Sequence, residues 1–108
     1  MDANQALLAL SALAQEHRLS AFRLLVETGP TGLPAGQIAA ALNMPASSLS
    51  FHLALLAEAG LVRQQREGRS LIYSAQFATM EALVRFLTEN CCSGAECLPA
   101  LAALECGE

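Results

Sequence analysis

Apolar side chains recur at helical spacing through the first half of the chain. Leu7, Leu10 and Leu13 fall at every third position, and Phe22, Leu25 and Val26 follow at helical intervals. The two runs predict amphipathic helices over 4–14 and 17–28, the second stopped by Thr28-Gly29-Pro30. Pro34-Ala35-Gly36 then leads into a short helix over 37–42, with Ile38 and Leu42 four apart, and Asn43 is suited to the left-handed conformation that ends a helix. After a tight turn, Pro45 opens another helix. Leu49, Leu53 and Leu56 line one of its faces, Ser47, Ser48, Ser50, Phe51 and His52 cover much of the rest, and Gly60 closes it. Segments 61–66 and 70–74 read as two strands around Glu67-Gly68-Arg69, a hairpin with glycine at its turn. Met80, Leu83, Val84 and Leu87 restore the helical period and predict a last helix over 77–90.

The order is mainly α with a small β-hairpin, the plan of a winged helix-turn-helix. In that plan the second helix of the pair enters the major groove of duplex DNA with its N-terminal residues at base edges. Ser47, Ser48, Ser50 and His52 are therefore candidate groove contacts, together with Gln37 from the preceding helix. His52 is suited to donate to a base or a phosphate, and its alternative role is that of a partly buried capping residue. Phe51 cannot hydrogen-bond through its ring, so an apolar contact with a thymine methyl is expected of it.

Composition sharpens this picture. A chain of 108 residues suits one domain, and 54% of it is hydrophobic although no apolar run reaches the roughly 18 to 20 residues of a membrane span. The surplus is expected at a contact between two copies, a homodimer built on the first and last helices through Leu7, Leu10, Leu83, Val84 and Leu87. A symmetric dimer in turn reads an inverted repeat. The start of the chain is acidic, with an early His17, and lacks the basic, then apolar, pattern of a secretory signal. A cytoplasmic location with no membrane association is expected, where cysteines persist as thiols. The formal charge of −4 is unusual for a DNA binder, yet half of the six basic residues, Arg63, Arg66 and Arg69, gather on the hairpin, and there is no lysine. They suit phosphates; a solvated hairpin edge and a winged-helix module that binds no DNA are the blander readings.

Several stretches together carry a resemblance. Leu13-Ala14-Gln15-Glu16-His17-Arg18-Leu19, the Ser50-Phe51-His52-Leu53 run with Leu56, Ala59-Gly60-Leu61-Val62, and Arg66-Glu67-Gly68-Arg69 with Tyr73 are similar to the ArsR/SmtB family of arsenic- and metal-responsive repressors. The resemblance implies a dimeric repressor that leaves its double-stranded operator when a sensing site fills. Arg18 matches a family arginine and is equally suited to a structural ion pair with Glu16 or another carboxylate. One departure matters: many arsenic sensors of the family carry a cysteine pair at the start of the recognition helix, and residues 43–50 contain no cysteine. Sensing is then expected elsewhere, and Glu89-Asn90-Cys91-Cys92-Ser93-Gly94-Ala95-Glu96-Cys97 looks like the C-terminal thiol site of another arsenic-responsive subgroup.

The chemistry of that segment can be read independently. Trivalent arsenic and antimony are soft and bind three thiolates in a pyramid, so As(III) or Sb(III) is the expected inducer at Cys91, Cys92 and Cys97. Ser93-Gly94 is suited to break the helix and fold Cys97 back. Cys106 lies beyond Leu98-Pro99 and is left out. Zinc or cadmium would want a fourth ligand, Cys106 or Glu96, and vicinal cysteines lack the usual zinc spacing; disulfide redox sensing is the other alternative. A thiol arsenate reductase is the enzymatic alternative. It is disfavoured by the absence of an arginine after Cys91, of a phosphate-cradling loop and of a βαβ pattern. No catalytic residue and no catalytic cofactor are therefore assigned. The expected division is a winged helix-turn-helix and dimerisation domain over 1–90 and a cysteine-bearing sensing tail over 91–108.

Overall fold

A computed structural model describes residues 1–90, so Cys91, Cys92, Cys97 and Cys106, with the metalloid site and the tail assigned to them, lie outside the described residues. The chain begins with α1 (Ala3–Leu13), whose start is fixed by a capping box. Gln5 N donates to Asp2 Oδ1 at 2.8 Å and Asp2 N donates back to Gln5 Oε1 at 2.9 Å, satisfying two of the amide donors that a helix start leaves open.

This helix is apolar on both sides, and size decides which side goes in. Ala6, Ala9 and Ala12 are buried, whereas Leu7 is 64% exposed and Leu8 and Leu10 are also exposed. Alanine at every third position lets α1 lie close against α2 (Glu16–Thr28) and α4 (Ala46–Glu58), and the leucines are left outside.

Between α2 and α4 come β1 (Leu33–Pro34) and α3 (Ala35–Leu42). The α3–α4 corner is made by Asn43 at φ 52°, ψ 52°, as its sequence suggests. Met44 N donates to Ala39 O at 3.1 Å and Asn43 N to Ala40 O at 3.2 Å, the paired bonds of a Schellman end. Pro45 is the residue before α4 rather than its first turn, with φ −64° and ψ 146°. The two helices meet at 110°.

The wing is β2 (Val62–Glu67) and β3 (Ser70–Ala75), antiparallel from Val62↔Ala75 out to Glu67↔Ser70. Its two-residue turn opens on Gly68 at φ 64°, the left-handed backbone that a tight hairpin needs. The sheet has a third strand that the sequence pattern does not reveal. β1 pairs antiparallel with β3, Leu33↔Tyr73 and Pro34↔Ile72, giving the order β1-β3-β2. Proline is tolerated there because β1 is an edge strand. Gly32, at φ 71°, lets the chain enter this strand so close to β3 that a Cβ would overlap the Tyr73 carbonyl oxygen.

Leu25, Ile38, Leu49, Leu53, Leu56 and Leu61 form the fully buried centre, so the inner face of α4 anchors the core. Withdrawing one such side chain from water contributes about 1.5–3 kcal/mol. Finally, α5 (Phe77–Leu87) is shorter than its pattern suggests. Thr88 turns its hydroxyl back onto Val84 O at 2.8 Å, and Asn90 takes φ 59°, so the helix ends before the first cysteine. The expected interface residues on α5 also divide. Leu87 is 57% exposed and Val84 half-buried, but Leu83 is 7% exposed and belongs to the subunit's own core.

Candidate nucleic-acid interface

Because Leu49, Leu53 and Leu56 are held inside, α4 has a fixed outer face. Ser47, Ser48, Ser50 and Phe51 lie exposed on it, and Phe51 is 62% exposed. The outer face carries no charge except that available to His52, since the only other ionisable side chain of α4 is Glu58 at its last residue. Gln37 is exposed on α3.

On the wing, Arg63, Arg66 and Arg69 are all exposed and free of ion pairs among the described residues, where the one salt bridge is Arg85 to Glu81 at 3.3 Å along α5. They do not form one face. Arg63 and Arg66 stand an odd number of residues apart on β2 and so project from opposite sides of the ribbon, while Arg69 occupies the turn. The wing therefore offers cations in several directions, from Arg63 at its base to Arg69 at its tip, rather than a single flat basic patch.

His52 sits at the inner edge of this surface, half-buried, and its surroundings are not legible in any local pattern. Its ring stacks on that of His17, with centroids 5.5 Å apart and planes at 26°. Phe51 meets it edge-on at 5.7 Å. Arg18 Nη1 lies 3.4 Å from His52 Nδ1. The expected ion pair of Arg18 with Glu16 is not formed; its Nε donates instead to Ala12 O at 2.6 Å, satisfying a carbonyl at the end of α1. Partial burial first, then the Arg18 guanidinium and then His17, hold the His52 pKa below the ordinary histidine value of 6.5. Arg18 and His52 are 34 positions apart, so only the packing of α2 on α4 brings them together. Among the described residues no group of three or more His, Cys, Asp or Glu side chains is arranged to hold a metal ion, and no single helix is long and apolar enough to cross a membrane.

Comparison with known proteins agrees with this geometry. A family model described as a helix-turn-helix domain matches residues 13–65, from the end of α1 into the wing. The chain is 30% identical over 88 residues to the transcriptional activator HlyU of Vibrio cholerae, covering 82% of this chain and 79% of that protein. It is also 30% identical over 91 residues to the HTH-type transcriptional regulator YgaV of Escherichia coli, covering 84% and 90%. Among solved structures, an ArsR-like transcriptional regulator from Rhodococcus sp. RHA1 is similar with a TM-score of 0.72 at 27% identity, covering 97% of this chain and 94% of that one. The homodimeric winged helix-turn-helix DNA-binding domain of Mb0332 from Mycobacterium bovis is similar with a TM-score of 0.64 at 26% identity, covering 88% of each chain.

Proposed function

Given that the chain belongs to the ArsR-like family of winged helix-turn-helix transcriptional regulators, a group of DNA-binding regulators rather than enzymes, we propose that it is a cytoplasmic homodimeric repressor that releases an inverted-repeat operator on binding trivalent arsenic or antimony. The observation that carries the DNA-binding part is the outer face of α4. Ser47, Ser48, Ser50 and Phe51 are presented to solvent by a helix whose other side is locked in the core, beside a wing bearing three exposed arginines. Serine hydroxyls reach base edges and phosphates alike, and Gln37 extends the surface from α3. The dimer is supported by the exposed Leu7 and Leu10 of α1 and Leu87 of α5, with Val84 at the margin.

Sensing is assigned to Cys91, Cys92 and Cys97, the sequence immediately following the end of α5. Drawing three thiolates onto one As(III) or Sb(III) ion constrains the segment next to Leu87 and Val84, and so alters how the two subunits pack. The recognition helices then lose the spacing that the operator requires. Coupling of this kind commonly amounts to about 1–3 kcal/mol, or roughly 5- to 150-fold in affinity, and operator DNA must weaken metalloid binding by the same factor.

The test is release of a duplex selected by the protein from a randomised library, titrated in parallel with arsenite, antimonite, zinc, cadmium and peroxide. Arsenite and antimonite should release it at the lowest concentrations. The Cys91→Ser, Cys92→Ser and Cys97→Ser proteins should bind the duplex and resist release, whereas Cys106→Ser should respond as the parent does. Release of the three variants at the parental arsenite concentration would falsify the sensing site, and a ranking led by zinc, cadmium or peroxide would replace the inducer.

A further inference from the structure

The contacts around His52 determine where its proton sits. A guanidinium has N–H donors and no acceptor. Arg18 is anchored through Nε to Ala12 O at 2.6 Å, and its Nη1 is 3.4 Å from His52 Nδ1. That separation is long for a strong hydrogen bond, but its sign is unambiguous: a proton on Nδ1 would point at another donor. Nδ1 must be the bare nitrogen, and the ring proton is on Nε2, on the far side from Arg18.

The neighbouring ring repeats the arrangement. Gln15 Oε1 accepts from Arg18 N at 2.9 Å, which fixes the orientation of the amide and turns its Nε2 donor to His17 Nδ1 at 3.1 Å. His17 therefore also keeps Nδ1 bare. The two rings stack, and charge on His52 is opposed by its burial, by Arg18 and by His17. Among the described residues no carboxylate contributes to the shift of His52. Of the elements packed on α4, α1 and α3 carry no charged side chain, β2 carries Arg63, Arg66 and Glu67, and α2 carries Glu16, His17, Arg18, Arg23 and Glu27, of which Arg18 and His17 bear on His52.

We infer that Arg18 is a positioning residue for DNA readout, locking His52 as the neutral Nε2–H tautomer so that the recognition helix presents one hydrogen-bond donor and no extra charge at this position. The inference rests on the DNA-binding reading above and specifies its chemistry. A single donor selects an acceptor at the base edge, guanine N7 or O6, adenine N7 or thymine O4, and meets the amino groups of cytosine and adenine donor to donor. A charged imidazolium would instead bind phosphate indiscriminately. Phe51, edge-on to the ring, restricts its swing and so the direction of the N–H.

The tautomer is measured directly by long-range 1H–15N correlation on the full chain labelled at histidine, through a titration from pH 8 to pH 5. In the parent, His52 should be the Nε2–H form at neutral pH and should take up its second proton below 6.5; in Arg18→Met it should show mixed tautomers and titrate higher. A proton on Nδ1, or a doubly protonated ring at neutral pH, overturns the inference whatever the DNA result, and the parent alone decides this if Arg18→Met fails to fold. The second arm uses the duplex selected by the parent. His52→Phe, which keeps the ring and removes the donor, should lose about 2- to 10-fold in affinity, as one hydrogen bond commands, and lose preference at one base position. The correct tautomer together with unchanged affinity and preference in His52→Phe overturns the readout role while leaving DNA binding intact. Failure of the parent to select any duplex overturns the DNA-binding reading itself.

Discussion

Replacing Gly32 by alanine isolates the contact that anchors the wing to the helix-turn-helix. Gly32 has φ 71°, and a Cβ there would overlap the backbone carbonyl of Tyr73, with Ile72 Cγ2 a further 3.1 Å neighbour. The left-handed backbone alone costs a non-glycine residue about 1–2 kcal/mol. The overlap is with main chain, so it cannot be relieved by a rotamer change; β1 must move off β3, breaking the Leu33↔Tyr73 and Pro34↔Ile72 pairing. One or two backbone hydrogen bonds at about 0.5–1.5 kcal/mol each bring the total to about 1.5–5 kcal/mol. For a domain of this size each kcal/mol lowers Tm by roughly 4–8 °C, so a fall of at least about 6 °C is expected. Gly36→Ala is the matched control, because Gly36 has ordinary backbone and nothing within 4 Å of an added Cβ; it should be neutral or raise stability by up to about 1 kcal/mol. Thermal and urea unfolding are compared at one protein concentration with thiols reduced, since the proposed dimer would contribute to apparent stability. Equal midpoints for Gly32→Ala and Gly36→Ala would refute the claim that close approach of β1 to β3 is what requires glycine. Weaker binding to the selected duplex by a still-folded Gly32→Ala protein would show that β1 sets the position of the wing.

Three further outcomes are expected from the same geometry. Arg66→Ala and Arg69→Ala should each reduce the slope of log affinity against log salt by about 1 for every phosphate the side chain neutralises in the parent; unchanged affinity and slope would remove the wing from the interface. Leu7→Glu should leave the subunit folded by circular dichroism while shifting sedimentation to the monomer, and a dimer of parental strength would show that α1 is not the contact. Folding stability should fall as pH drops through 6.5, because the His52 pKa is held down in the folded protein by burial, Arg18 and His17. The unfolded chain then binds the proton that the native chain refuses. His52→Phe should flatten that part of the profile in urea titrations between pH 8 and pH 5.

The helix order, the Asn43 corner and the Gly68 hairpin are legible because each is decided within a few residues by helical period or by a backbone that few side chains tolerate. Other features depend on contacts across the chain. β1 is two residues long and half proline, too short for any periodicity, and exists because β3 offers it an edge. The repeat of Leu7 and Leu10 reveals a helix but not its orientation, since the opposite face of α1 is also apolar. Leu83 and Leu87 stand four apart on one face of α5 and differ in fate, because Leu83 lies mid-helix against the core and Leu87 is the last residue of the helix. At the interface, the serines of α4 follow from the helix-turn-helix pattern, but the partners of His52 do not. Nothing near position 52 signals that a guanidinium and a second imidazole converge on it.

The arrangement of α1 gives evolution two independent handles. In most amphipathic helices the residues that hold the fold are the large apolar ones, so a change in association surface puts the fold at risk. Here the alanines do the holding and the leucines face out, so the two duties fall on different residues with different tolerances. Inward positions admit almost nothing larger than a methyl group, whereas outward ones can exchange shape and polarity with little effect on the subunit. If two copies meet through α1 as proposed, substitutions at positions 7, 8 and 10 would change the strength of that contact while the packing of α1 on α2 and α4 stays in place.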